Sequence, residues 1–78
     1  MTLVVVTVMP KQGVLDPQGQ AVQGALQHMG FADVADVRVG KRIELEIDGH
    51  DPAGQATKMA EELLANQLIE DFHVEVPG

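Results

Sequence analysis

Residues 16–21 read Asp-Pro-Gln-Gly-Gln-Ala, and residues 51–56 repeat them as Asp-Pro-Ala-Gly-Gln-Ala at an offset of 35 residues. The same offset aligns residues 34–39 with residues 69–74. Each Asp-Pro pair predicts a helix start, because Asp accepts hydrogen bonds from first-turn N–H groups and Pro suits the first helical position. Two matches at one offset predict a single domain, 1–78, built from two similar units of roughly 1–39 and 40–78.

The apolar residues that follow each Asp-Pro pair are spaced as on an amphipathic helix. Gly30 predicts the end of the first helix and Asn66 the end of the second. The predicted apolar face of the first helix comprises Ala21, Val22, Ala25, Leu26 and Met29. That of the second comprises Ala56, Met59, Ala60, Leu63 and Leu64.

Strands are predicted where β-branched residues cluster, at residues 3–9, 34–47 and 69–76. In the middle segment the apolar residues from Val37 to Ile47 are odd-numbered, and a two-residue turn at Gly40-Lys41 would place core and solvent positions on one face. One long bent strand, or a hairpin with a three-residue loop, would keep these apolar residues on one face of the sheet. Both alternatives remain open. The predicted fold is α+β, a duplicated split β-α-β of the ferredoxin-like type (β-α-β-β-α-β), with the helices on one face of a mainly antiparallel sheet.

The small size of the chain predicts that it needs support from outside. A domain of 78 residues has a marginal core, and the absence of cysteine excludes disulfides. We therefore expect a homodimer or a higher oligomer that assembles through the sheet. The net charge of −7 disfavours nucleic acid as a partner, and no apolar run is long enough to span a membrane. A cytoplasmic location is expected.

The residues that usually carry catalysis are scarce. The chain has neither cysteine nor serine, and His28, His50 and His73 lack metal-ligand spacing. No phosphate-binding loop is present. We expect no catalytic residue, no bound cofactor and no metal in this chain.

Two segments are unusual for a plain scaffold. The loop that follows the first strand combines one cation, one glycine and two apolar residues, namely Lys11, Gly13, Val14 and Leu15. A second segment carries Arg38, Gly40, Lys41 and Arg42, which include three of the five cations of the chain. These cations either dock an acidic partner surface or pair with Glu44 and Glu46 across the sheet, and the sequence leaves both interpretations open.

The same segments resemble the PurS-type small subunits of phosphoribosylformylglycinamidine synthase. The resemblance begins at Lys11-Gln-Gly-Val-Leu-Asp-Pro-Gln-Gly19, continues through Asp36-Val-Arg-Val-Gly-Lys41, and closes weakly at Leu63-Leu-Ala-Asn66 with Ile69-Glu-Asp-Phe72. Residues 51–62 depart most from the family pattern.

The resemblance implies a non-catalytic subunit of an ATP- and glutamine-dependent carbon–nitrogen ligase of purine biosynthesis, which forms an amidine from formylglycinamide ribonucleotide. It implies two partners, a glutaminase subunit and a large synthetase subunit, with ATP, Mg and glutamine used by the complex rather than by this chain. Lys11, Gly13, Val14, Leu15, Arg38, Gly40 and Lys41 would then form the partner interface. The alternative is a dimeric regulatory module that binds a small molecule.

Overall fold

Three strands form one antiparallel sheet in the order β2-β1-β3. The computed structural model describes residues 1–77. Its elements are β1 (Thr2–Pro10), α1 (Pro17–His28), β2 (Lys41–Ile47), α2 (Pro52–Met59), a π-helical turn (Ala60–Leu64) that continues α2, and β3 (Glu70–Glu75). The predicted α+β class and both Asp-Pro helix starts are confirmed.

The core lies between the central strand β1 and helix α2. The alternate residues Val4, Val6 and Val8 are fully buried, and Val6 is paired with Ile43 on one side and Val74 on the other. Ala56 and Ala60 of α2 and its continuation are also fully buried, and their small side chains let the helix approach the valine row closely. The core thus consists mostly of valine and alanine, which makes it thin.

The π-helical turn changes which residues of the second helix face the core. The Ala65 N–H donates to the Ala60 carbonyl at 2.9 Å, a bond that spans five residues and widens the helix. Leu64 stays half-buried against the core, whereas Leu63 is 83% exposed and Met59 39% exposed. The predicted apolar face is therefore confirmed for Ala56, Ala60 and Leu64 and is wrong for Leu63.

Helix α1 lies away from the sheet, contrary to the prediction that both helices cover one face. Within the described chain, β1 packs against both other strands, and α2 packs against β1 and β3. Helix α1 makes no comparably extensive contact with these elements. The radius of gyration is 15.6 Å, against about 11.5 Å for a compact chain of this length. Met29 is 70% exposed and Val22 41% exposed, so the apolar face of α1 is largely open.

The predicted long central strand is shorter than expected, because strand pairing begins only at Lys41. Residues 34–40 contain no turn, so neither hairpin forms there. Side chains bind the backbone of this segment instead of a neighbouring strand. Gln23 donates to the Ala35 carbonyl at 3.0 Å and Gln27 to the Val34 carbonyl at 3.3 Å. The β-α-β-β-α-β pattern consequently reduces to three strands.

Gly40 is required where this segment meets β1. A Cβ atom at Gly40 would collide with the Met9 sulfur and the Val8 carbonyl oxygen, whereas a Cβ at Gly24 would meet nothing within 4 Å.

We predict that Gly40→Ala lowers the free energy of unfolding by about 1–3 kcal/mol, the usual range for overpacking. Gly24→Ala is the matched control in the interior of α1, where alanine is favoured over glycine. Urea denaturation measures both variants, and equal stability of Gly40→Ala and wild type would contradict this close approach.

Candidate partner-docking site

The loop between β1 and α1, residues 11–15, is tied to the start of β3. The Lys11 N–H donates to the Ile69 carbonyl at 2.8 Å, and the Lys11 ammonium pairs with Asp71 at 2.9 Å. Gly13 adopts a φ of 84°, which glycine tolerates without strain. The loop therefore has a defined shape, and it presents Leu15 with 69% of its surface exposed.

A cavity of about 320 Å³ brings this loop together with the segment that precedes β2. Lys11, Gly13, Val14 and Arg38 of the predicted interface line it, as do several polar residues, Gln12, Asp16, Gln20, Gln23 and Asp36. Leu15, Gly40 and Lys41 are not among its lining residues. The structure thus gathers four of the seven predicted interface residues around one cavity.

The Asp16 carboxylate joins α1 to the segment before β2. One oxygen accepts from the Gly19 N–H at 3.0 Å and caps the helix, while the other accepts from the Val39 N–H at 2.9 Å. The Val39 and Gly19 bonds hold the pKa of Asp16 below its ordinary value of 3.8, and the Arg38 guanidinium adds a smaller effect in the same direction. A Cβ at Gly19 would collide with this carboxylate and with the Val37 carbonyl, so the junction also requires glycine there.

The cations of the second segment all have partners inside the chain. Arg38 donates to the Pro10 carbonyl, and Arg42 pairs with Glu44 at 3.2 Å. Lys41 donates to the Leu64 carbonyl at 3.2 Å, where it satisfies an acceptor at the end of the π-helical turn. Arg42 does pair with Glu44, but along strand β2 rather than across the sheet as the sequence had suggested. Lys41 contributes to the fold as well as to the surface.

Sequence reasoning missed a second exposed surface, on the turn that joins the π-helical segment to β3. Leu63, Leu68 and Ile69 are 83%, 87% and 45% exposed. The spacing of an ordinary α-helix places Leu63 in the core. Nothing in the local sequence signals the π-helical turn that moves it outward, although Asn66 does mark the turn that follows.

Neither a metal-binding cluster nor a membrane-spanning helix is found among the described residues, 1–77. They contain no cluster of three or more His, Cys, Asp or Glu side chains that suits a metal ion. No helix among them is long and apolar enough to cross a membrane. The loop and the cavity carry charged and polar side chains, and the two apolar surfaces are exposed.

Comparisons with known proteins identify one family. The family profile described as "PurS: Phosphoribosylformylglycinamidine (FGAM) synthase" matches residues 3–78. The chain is 49% identical over 74 residues to the phosphoribosylformylglycinamidine synthase subunit PurS of Mycobacterium leprae, with 95% of this chain and 94% of that one covered.

Solved structures show the same architecture. Bacillus subtilis PurS superimposes with a TM-score of 0.90 at 48% identity, and the match covers 100% of both chains. A chain of the solved structure of PurLQS from Thermotoga maritima matches with a TM-score of 0.80 at 28% identity, over 99% of this chain and 100% of that chain.

The two Asp helix caps offer a matched test of the Asp16 junction. Asn in place of Asp16 keeps the oxygen that caps the helix but turns an amide donor toward the Val39 N–H, so we predict that Asp16→Asn is less stable than wild type at pH 7. Asp51→Asn is the control, because the Asp51 carboxylate accepts from the Gly54 N–H and from no second segment of residues 1–77, and Asn tolerates its left-handed φ of 54°.

The pH dependence of this difference follows from the lowered pKa. The ionised carboxylate contributes stability above pH 3.8, and this contribution is lost as the pH falls through the lower pKa of the folded state. The stability difference between wild type and Asp16→Asn should therefore shrink below about pH 3.8. A difference that stays constant down to about pH 2 in thermal unfolding would contradict the role of the charge.

Proposed function

The chain belongs to the PurS family of phosphoribosylformylglycinamidine synthase subunits, and we propose that it is the non-catalytic subunit that docks the glutaminase subunit on the ATP-dependent synthetase subunit. The enzyme is a ligase of purine biosynthesis that depends on ATP and glutamine. The observation that carries the docking role is the fold match with a chain of PurLQS over nearly the whole length of this chain. A cytoplasmic location of the complex is part of the proposal.

The chemistry of the reaction explains why such a subunit is useful. Ammonia released from glutamine is mostly protonated in neutral water, and ammonium is not a nucleophile. Two active sites held in a fixed orientation transfer ammonia before it escapes, which raises its effective concentration at the acceptor. In this proposal ATP, Mg and glutamine bind to the partner subunits, and this chain supplies shape alone. The loop 11–15, together with Arg38, Gly40 and Lys41, meets a partner subunit.

We further propose that the chain forms a homodimer through the open face of α1. Helix α2 packs against β1 and β3, while Ile43 and Leu45 of β2 stay half-buried on the same side of the sheet. The α1 helix of a second copy would cover this part of the sheet and bury its own Val22 and Leu26. Burial of each large apolar side chain contributes about 1.5–3 kcal/mol, so a few such contacts in each copy are substantial for a thin core.

A regulatory module that binds a small molecule remains the second candidate, and the cavity of about 320 Å³ is the observation that favours it. Its lining is mainly polar and carries both charges, as a zwitterionic metabolite would require. Titration calorimetry of the isolated chain with the common amino acids separates the two functions, because an assembly subunit binds none of them by itself.

Amidine formation by the two partner subunits tests the docking role directly. With glutamine as nitrogen donor, we expect the rate to fall at least about tenfold when this chain is left out. With a high concentration of ammonium salt, the synthetase subunit should work equally well with or without the chain, because transfer between sites is bypassed. Full glutamine-dependent activity without the chain would contradict the proposal.

Sedimentation equilibrium tests the dimer with one charge placed on either side of α1. Val22→Glu puts a carboxylate on the apolar face, and we expect it to weaken self-association at least about tenfold, because the charge would have to be buried. Gln20→Glu adds the same charge on the opposite side of the helix and should leave self-association unchanged. Equal behaviour of the two variants would show that α1 is not the interface.

A further inference from the structure

The turn at residues 66–69 has a backbone that its own hydrogen bonds fix. The Asn66 side chain accepts from the Leu68 N–H at 3.1 Å, and the Asn66 carbonyl accepts from the Ile69 N–H at 3.0 Å and the Glu70 N–H at 2.7 Å. The Glu70 carboxylate accepts in return from the Asn66 N–H at 2.8 Å. Together these hydrogen bonds fix the backbone conformation of the turn.

The turn is also fixed to its surroundings on both sides. Gln67 donates to the Glu61 carbonyl at 3.3 Å, and Lys41 reaches from β2 to the Leu64 carbonyl. Ala65 is buried, and the Lys11 N–H holds the Ile69 carbonyl. The turn is thus attached to the π-helical segment, to β2 and to the loop 11–15.

Large apolar side chains project from this turn and from the π-helical segment to which it is attached. Leu68 is 87% exposed and Leu63 83% exposed, which makes them the most exposed leucines of the described chain, and Ile69 is next to Leu68 at 45%. A preorganised backbone reduces the entropy lost on binding, and a few apolar side chains that enter a pocket usually provide most of the affinity of an interface. Leucine side chains that only face water gain nothing from a fixed backbone, whereas leucine side chains that bind a partner do.

The charges around these side chains favour a different protein over a second copy. Glu61 and Glu62 precede Leu63 on the π-helical turn, and Glu70 follows Ile69, while neither ion pair of residues 1–77 includes any of the three. Lys11, Lys41 and Lys58 lie on adjoining segments, but Lys41 is already hydrogen bonded to Leu64 and Lys11 is paired with Asp71. In a symmetric contact the same surface meets itself, so these carboxylates would face their own copies in a chain of net charge −7.

We propose that Leu63, Leu68 and Ile69 form a docking surface for one of the two larger subunits, which presents an apolar pocket bordered by lysine or arginine. This rests on the proposed docking function and extends it, since it separates the surface for the larger subunit from the α1 face used for self-association. The loop 11–15 lies beside the surface through the bond of Lys11 to Ile69 and adds Leu15 to it.

Binding of the purified glutaminase and synthetase subunits to the immobilised full chain tests the proposal. We expect Leu68→Ala and Leu63→Ala each to weaken binding of one subunit about tenfold or more, with unchanged binding of the other. Val76→Ala is the control, because it truncates another exposed apolar side chain, 46% exposed, just beyond the far end of β3. Asn66→Ala should also weaken binding, because it removes the side-chain bond that fixes Leu68. A Glu61→Lys, Glu62→Lys double variant should slow association.

The outcomes are distinguishable. If neither subunit binds the wild-type chain, both the docking function and this surface are rejected. If wild type binds and the Leu63 and Leu68 variants bind as tightly as Val76→Ala, only the surface is rejected. If these variants lose self-association in sedimentation equilibrium while binding of both subunits is unchanged, the surface belongs to a contact between copies and the proposal is overturned.

Discussion

Helix α1 sets the main constraint on this molecule, because its own chain holds it in place but does not cover it. The Asp16 carboxylate fixes its start against Val39, and Gln23 and Gln27 fix its side against the segment 34–35. Its apolar face remains open, with Val22 and Met29 exposed. An isolated helix of 12 residues is marginal in water, and the proposed second copy would supply the apolar cover that its own chain does not.

The thin core is consistent with the same proposal. Its fully buried residues are valines and alanines, and α2 covers only part of the sheet. Neither a disulfide nor a metal ion reinforces this core, since the chain has no cysteine and its described residues contain no metal-binding cluster. In the proposed function, position and shape matter in this subunit and the reactive groups belong to other chains. The two open apolar surfaces, on α1 and around Leu68, then allow contact with two kinds of partner.

The sequence was sufficient where a local rule decides the structure. Asp16 and Asp51 cap helices as their Asp-Pro pairs predict, and the β-branched run at residues 3–9 lies within strand β1. It was insufficient where a distant contact decides. Residues 34–39 have strand-like composition, yet Gln23, Gln27 and Asp16 bind their backbone, and Leu63 is exposed by a π-helical turn without a sequence signal.

Of the predicted interface, the cavity unites Lys11, Gly13, Val14 and Arg38, whereas the bond of Lys41 to Leu64 depends on the tertiary fold. The division of the chain into two similar units stays a prediction.

Hydrogen–deuterium exchange of the α1 amides, followed through a dilution series of the isolated chain, tests whether another chain covers this helix. We predict that residues 21–28 are protected at high protein concentration and lose protection on dilution before the amides of β1 do. Protection of α1 that does not change with concentration, or its absence at every concentration, would show that no second copy covers the helix.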